Sequence, residues 1–453
     1  MAFSQTNMVR ITKGLDLPLS GRPDTRIDTA APVSHVALLG RDYIGMKPAM
    51  LVQEGDLVKL GQPLFVDKKH PEIKFTAPAC GRIAAINRGE RRVFTSLVIE
   101  LAGDEAVSFP VVEAGDIAGL SGAAVEGRLL ESGLWTALRT RPFSRIPVPG
   151  SRPDAIFVTA IATDPLSADP AQIIANHQDF FLAGLQALRS LTSHNLYLCH
   201  ASGSEIPTIA GVTSAAFSGC HPAGLPGTHI HFLHQADIQH QVWHLGYQDV
   251  IAIGALFLTG RIMTERIVAL GGAQVKNPRL LRTRLGASID DLTSGELRDG
   301  ENRTVSGSVL SGHEAAGDSA YLGRYHIQVS VLAEERQRKL LDWLMPGFSK
   351  HSVKPVFAGA LLPGRKLPFS TSTHGSLRAM VPIGAYEKVM PLDFKITWLL
   401  RSLLAGDVEM AQKLGCLELD EEDLALCSYV CPGKIDYGHH LRQVLNRIEE
   451  EGI

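Results

Sequence analysis

No stretch of this sequence is long and apolar enough to span a bilayer. The longest apolar run, Val250 to Thr259, is about ten residues, whereas a spanning helix takes about 20. Any membrane role must therefore act through a partner. The N-terminus, Met-Ala-Phe-Ser-Gln-Thr-Asn-Met8, has no basic segment leading into an apolar core, so it does not read as a secretory signal, and a cytoplasmic location is expected. Basic residues are not concentrated anywhere and the net charge is −3, which excludes an electrostatic footprint for nucleic acid. Six cysteines in 453 residues form no disulfide framework and point to a reducing compartment. No P-loop, Ser/His/Asp order or paired-carboxylate motif stands out. With 45% hydrophobic and 20% charged residues the chain is ordinary packed globular protein, long enough for three or four domains.

One absence is more specific. Cys427-Ser-Tyr-Val-Cys431-Pro432 has the form of the second half of a ferredoxin-type loop, C-x2-C-x2-C-x3-C-P, which needs four thiolates to surround a 4Fe-4S cluster. The two earlier ligand positions fall on Glu421 and Leu424. Two thiolates cannot hold that cluster. The alternatives are half of a site completed by another chain, or two buried thiols packed as small hydrophobes.

What is present reads as an α/β multidomain protein. From Val33 to Leu101 short apolar strands alternate with Gly55, Gly61, Pro63, Pro78 and Gly81, as in a small β sandwich. The pattern Val52-Gln-Glu-Gly-Asp-Leu-Val58 through Phe75-Thr-Ala-Pro-Ala-Cys-Gly-Arg-Ile-Ala84 resembles the biotinyl/lipoyl carrier fold. A carrier would need a modified lysine at a hairpin tip; Lys68, Lys69 and Lys74 lie nearby without the Met-Lys-Met setting. Asp154 to Ala160 then predicts a strand, Pro170 to Leu191 a helix, and Asn195 to Cys199 a second strand, together a βαβ unit of a Rossmann-like parallel sheet.

Such a sheet carries its phosphate loop early, and here the spacing is wrong. Gly127, Gly133 and Gly150 are far apart, and Trp135 and Phe143 are too bulky for backbone amides to close on a phosphate. Arg139, Arg141 and Arg145 could neutralise an anion, although exposed arginines are usually just solvated. Arg266 to Leu297, with turns at Gly271-Gly272 and Asn277-Pro278, looks like a β-grasp module of the soluble-ligand-binding (SLBB) type. The last seventy residues predict helices over Phe394 to Leu404 and Asp407 to Leu414, and a third capped by Asp436 with a stripe of Leu441, Val444, Leu445 and Ile448.

Eight of 17 histidines lie between His194 and His244. His229 and His231 would share one face of a strand, and with a thiolate such as Cys199 or Cys220, near His200 and His221, could form a zinc set, but no fixed ligand spacing accompanies them. The acidic run Glu418 to Asp423 reads as a solvated face.

The order of these modules, with Ile11-Thr-Lys-Gly-Leu-Asp-Leu-Pro18, His221-Pro-Ala-Gly-Leu-Pro-Gly-Thr-His-Ile-His-Phe232, Met380-Val-Pro-Ile-Gly384 and Val389-Met-Pro-Leu-Asp393, resembles the NqrA family of Na+-translocating NADH:quinone reductase subunits over nearly the whole chain. Met8-Val-Arg-Ile-Thr-Lys-Gly matches the way such chains begin, which makes Met8 a candidate start. Similar scaffolds in the RnfC component of the Rnf electron-transfer complex and the flavin-bearing subunit of respiratory complex I keep a G-R-G-G-A-G-F-P flavin loop. Trp135 to Pro147 stands in its place.

The resemblance implies an N-terminal segment at 8–32, a biotinyl/lipoyl-like β domain at 33–104, a Rossmann-like domain at 121–255, an SLBB-like module at 256–330, a connecting segment at 331–384 and a C-terminal helical domain at 385–453. It further implies a peripheral subunit on the cytoplasmic face of the bacterial inner membrane, docked on the membrane-embedded NqrB protein, in a complex that uses NADH, flavins, iron-sulfur centres and ubiquinone to export Na+. No catalytic, cofactor-binding or metal residue is assigned to this chain, and a contribution to quinone interaction is expected beside docking. Phe394, Trp398, Leu399 and Leu403 are the expected apolar anchors of the interface. The alternative is a flavin- or NADH-binding electron-transfer subunit of an Rnf-like complex, which a visible absorbance spectrum would distinguish. Intact mass would reveal a lysine-borne carrier group.

Overall fold

A computed structural model describes residues 7–336, 345–361 and 364–452. Its centre is a six-stranded sheet in the order Asn7–Ile11, Val212–Gly219, Asn195–Ala201, Ala155–Ala160, Val242–Gly246 and Arg139–Arg141, parallel except for the last edge. Alternation along Ala155–Ala160 explains why both faces are covered. Ile156 and Val158 point to one core with the helices Gln178–Arg189 and Tyr247–Thr259, while Ala155 and Phe157 point to another with Ile230 of the helix Pro226–Leu233. The two long helices cross closely because Gly184 and Gly254 face the partner backbone; a Cβ on Gly254 would collide with the Phe180 carbonyl oxygen.

The strands expected around Asp154–Ala160 and Asn195–Cys199 are present. The single helix expected from Pro170 to Leu191 is two, Pro170–Ala175 and Gln178–Arg189. The break falls at Asn176-His177, both poor helix formers, where the His177 ring leaves the helical path and stacks beside Phe180.

Residues 35–101 form two antiparallel sheets closed around Leu64, Phe65, Phe75 and Leu97, with the Phe65 and Phe75 rings stacked at 4.6 Å. A second six-stranded sheet runs in the order His313–Glu314, Asn302–Ser306, Gln328–Ala333, Glu265–Gly271, Arg279–Arg284 and Ile27–Thr29. The N-terminal segment is thus a strap: it adds an edge strand to each six-stranded sheet, through Asn7–Ile11 and Ile27–Thr29.

The C-terminal helices Ile396–Ala405, Val408–Lys413 and Tyr437–Glu451 follow the expected pattern. Asp407 accepts from the Met410 amide at 3.0 Å, Asp436 accepts from Gly438 at 3.1 Å, and the stripe from Leu441 to Ile448 is buried. The interface expectation is corrected at this point. Leu399 and Leu403 fill the core of the helical unit itself, and Phe394 packs half-buried beside His231; only Trp398, 61% exposed, faces outward. Phase explains it: Leu399 and Leu403, four apart, share the buried stripe, and Trp398 lies off it.

Candidate functional site

In a parallel sheet, ligands gather outside the C-terminal ends of the strands where strand order reverses. Here that point lies between Ala155–Ala160 and Val242–Gly246. The crevice there has a volume of about 160 Å3 and is bordered by Arg139, Thr159, His244, Tyr247, Arg266, Arg324, Tyr325 and Glu422. Pockets for cofactor-sized ligands run to roughly 300–1,000 Å3, larger than this space.

The segment in place of a phosphate loop is packed solid. Trp135 is fully buried, its ring edge meets Trp243 at 5.4 Å, and its indole N–H donates to the Pro147 carbonyl at 2.8 Å. Phe143 and Ser144 both hold left-handed backbone (φ 74° and 57°), a conformation that costs about 1–3 kcal/mol at each non-glycine residue. That turn presents a cluster of charge. Arg141, fully buried, donates to Asp420 at 2.9 Å and to Glu422 at 3.3 Å, and lies 3.7 Å from Asp423; the Ser144 hydroxyl donates to Asp420 at 2.7 Å.

Arg442 binds Asp420 and Glu421 and donates to the Phe143 carbonyl at 2.8 Å, while Arg145 pairs with Glu449. Two expectations fail together here. The acidic run is not a solvated face, and Arg141 is not an exposed guanidinium; each is buried against the other because a buried charge needs a paired, hydrogen-bonded partner. Burial pushes the Asp423 carboxyl up to about 7. At Asp420 burial also raises the carboxyl, but Arg141 and Arg442 outweigh it and hold it well below the usual range.

The segment with the Cys427 and Cys431 spacing is packed in the same way. Leu424 is core, Glu421 is held by Arg442, and Cys427 and Cys431 are buried. The Tyr386 hydroxyl donates to Cys431 Sγ at 3.2 Å and lies 2.9 Å from the Tyr437 hydroxyl.

The histidines do not converge. His229 and His231 sit on the helix Pro226–Leu233 rather than a strand, so a two-residue spacing turns their side chains apart. Pro226 opens this helix at its first position, a signal the alternation of His, Ile and His obscures. His229 Nε2 donates to the Ala223 carbonyl at 3.0 Å, and burial pushes its ring down to about 3. His231 accepts at Nε2 from the Asp393 amide and so donates from Nδ1 to Glu418 at 2.8 Å, tying the helical unit to the sheet. His221 meets the Thr163 hydroxyl at 3.1 Å and His200 meets Ser214 at 2.8 Å. Cys199 is sheet core and Cys220 is half-buried. Among the described residues no three His, Cys, Asp or Glu side chains are grouped to hold a metal ion. Lys68 and Lys69 are exposed in the turn after Pro63–Asp67, and Lys74 opens the next strand, half-buried.

A second space lies under the connecting segment. It has a volume of about 750 Å3 between residues 349–374, the strap at Leu17 and Leu19, and the loop from Ser428 to Asp436. Leu310, Leu332 and Phe369 give it apolar walls; His351 Nδ1 and the Tyr429 hydroxyl form a hydrogen bond of 2.7 Å at its side. The His351 ring stacks on Phe369 and on Tyr429 at centroid distances of 5.5 and 6.1 Å, and burial lowers its pKa. Sequence reasoning misses this site because its walls come from stretches of chain far apart in sequence, from Leu17 to Asp436. The same stretch of chain that supplies His351 and Phe369 exposes Phe348, Val353, Val356, Leu361, Leu377 and Val381, with Leu361 and Leu377 each 80% exposed.

Three family descriptions match successive parts of the chain: the NqrA N-terminal barrel-sandwich hybrid domain at residues 9–102, the NqrA second alpha/beta domain at 120–262 and the NQRA C-terminal domain at 267–317. The NqrA subunit of the Na(+)-translocating NADH-quinone reductase of Pseudomonas aeruginosa is 58% identical over 447 residues, covering 98% of this chain and 100% of that one. The corresponding subunit of Yersinia pestis is 57% identical with the same coverage. A solved NAD+-reducing (NiFe) hydrogenase in the air-oxidized state aligns with 76% of this chain and 68% of its own at 14% identity, with a TM-score of 0.35, too low to carry an argument.

Proposed function

The chain belongs to the NqrA family of Na(+)-translocating NADH-quinone reductase subunits, and from that premise we propose that it works as a cofactor-free peripheral subunit of such a complex. It docks on the cytoplasmic side of the membrane subunits, NqrB in particular, and shapes quinone access while NADH, flavin and iron-sulfur chemistry proceeds on other chains. The biotinyl/lipoyl-like, Rossmann-like and SLBB-like units then serve as scaffold, each without the group its relatives carry.

The observation that carries this reading is the coincidence of an apolar surface and an aromatic-lined cavity on one segment. Exposed apolar side chains are candidates for a contact surface, and Leu361, Leu377 and Val381 are exposed on the same stretch of chain as His351 and Phe369, which line the 750 Å3 space. That volume is in the range of small-ligand pockets, and Phe369, Tyr429 and His351 offer ring faces and a hydrogen bond suited to a quinone head. Among the described residues no helix is long and apolar enough to cross a membrane, which agrees with a peripheral place.

The test is Leu377→Asp combined with Val381→Asp. Both positions are exposed, so the isolated chain should keep its stability within about 0.5 kcal/mol, while co-purification with the membrane subunits is lost. Normal assembly of the double variant would remove this docking surface from the account.

A further inference from the structure

The small crevice at the strand-order reversal is smaller than a cofactor pocket, yet it is not a filled core. Three residues of its lining each carry a buried polar atom without a hydrogen-bond partner: Thr159 at Oγ1, His244 at Nδ1 and Arg324 at Nη2. Unpaired buried polar atoms are rare and costly, and three around one cavity call for an occupant.

Their chemistry specifies what kind. Arg141 Nη1 lies 3.0 Å from His244 Nε2, and a guanidinium only donates, so Nε2 accepts and the ring proton sits on Nδ1. His244 Nδ1 and Arg324 Nη2 are therefore both donors, and the Thr159 hydroxyl is able to donate. Arg139 adds a half-buried guanidinium stacked over the Tyr325 ring at 4.4 Å. Asp249 is shared between Arg266 at 2.7 Å and Arg324 at 2.9 Å, which leaves this trio with a surplus positive charge. Glu422 is bound by Arg141, and Asp164 borders the cavity. Arg141 and Arg145, whose spacing also suggested an anion, are consumed by carboxylates of the C-terminal helices.

We propose that this crevice binds a small oxyanion of phosphate size, held by Arg139, Thr159, His244 and Arg324. The ligand class is a phosphate group, either free inorganic phosphate or the end of a larger ester reaching in from the open side. Thr159 and His244 come from the parallel sheet, Arg324 from the second sheet's unit, and Glu422 on the rim from the C-terminal unit, so occupancy ties three parts of the chain together.

Calorimetric titration of the full chain with sodium phosphate, in chloride buffer of matched ionic strength, tests this. The expected result is saturable one-to-one binding with a raised unfolding temperature. Thr159→Val, which removes one hydroxyl at constant shape and breaks no ion pair, and Arg139→Gln should each weaken it about tenfold. Arg145→Gln, on the far side of the ion cluster, should bind as wild type. Competition by AMP identifies the phosphate end of an ester as an acceptable source; phosphate binding without AMP competition restricts the site to the free ion. Absence of saturable binding at millimolar phosphate means the cavity holds water only and overturns the proposal, as does unchanged affinity in both Thr159→Val and Arg139→Gln.

Discussion

The crevice of about 160 Å3 at the strand-order reversal and the cavity of about 750 Å3 under the connecting segment differ in what encloses them. The first is walled by guanidinium, imidazole and carboxylate groups from elements far apart in the chain, some ion-paired and others, at His244 Nδ1 and Arg324 Nη2, without a partner. The second is walled by Leu310, Leu332, Phe369 and Tyr429 and bordered by exposed apolar side chains. Ion pairs beside the first fix the C-terminal helices against the sheet, while the second is enclosed mainly by apolar and aromatic side chains.

The sharpest way to break the charged region is Arg141→Met. With the guanidinium gone, Glu422 and Asp423 lose their cation and Asp420 keeps only Arg442, and denaturant unfolding should show a loss of about 3–5 kcal/mol. A loss under about 1 kcal/mol would mean the cluster behaves like a surface ion pair.

Acid should act next at His229, which packs against Phe217 and borders neither space. In the unfolded chain His229 takes up a proton as pH falls through its ordinary value of 6.5, whereas the buried ring resists until about 3, so acidification between these values favours the unfolded state. Relative to His229→Asn, the wild-type chain should lose up to about 1.4 kcal/mol per pH unit below 6.5. Parallel stability profiles for the two proteins would show that His229 does not titrate differently on folding. His351, half-buried in the open cavity, is also lowered by burial, and its replacement should tilt the profile in the same sense over a narrower window.

The smallest effect on stability belongs to the open cavity. Tyr429→Phe deletes the hydroxyl that meets His351 and should cost about 0.5–1.5 kcal/mol, yet alter the concentration of short-chain ubiquinone needed for half-maximal reduction by the complex. Unchanged quinone dependence would detach this cavity from quinone.

How far the sequence reveals these regions depends on where each signal resides. Local patterns are legible: the alternation of Ala155–Ala160, the Asp436 cap and the Leu441 to Ile448 stripe need no distant partner. The spacing of Cys427 and Cys431 is equally readable, as is the bulk of Trp135 where a glycine loop would stand. What escapes is non-local. Asn7–Ile11 pairs with Val212–Gly219 across about two hundred residues, and Arg141 meets Asp420 across 279, so neither partner advertises the other. Charged residues therefore look solvated in the sequence, and His229 to His231 looks like a strand, since a short apolar run does not separate strand from buried helix.

The central claim is that this chain serves the quinone end of the complex by docking and shaping access, and that NADH chemistry lies elsewhere. The direct measurement compares complexes assembled with and without the chain, following ubiquinone reduction with Na+ transport and, separately, NADH oxidation by an artificial acceptor. Removal should abolish the first and spare the second. Loss of both activities, with every other subunit still assembled, would place NADH chemistry on this chain and contradict the account.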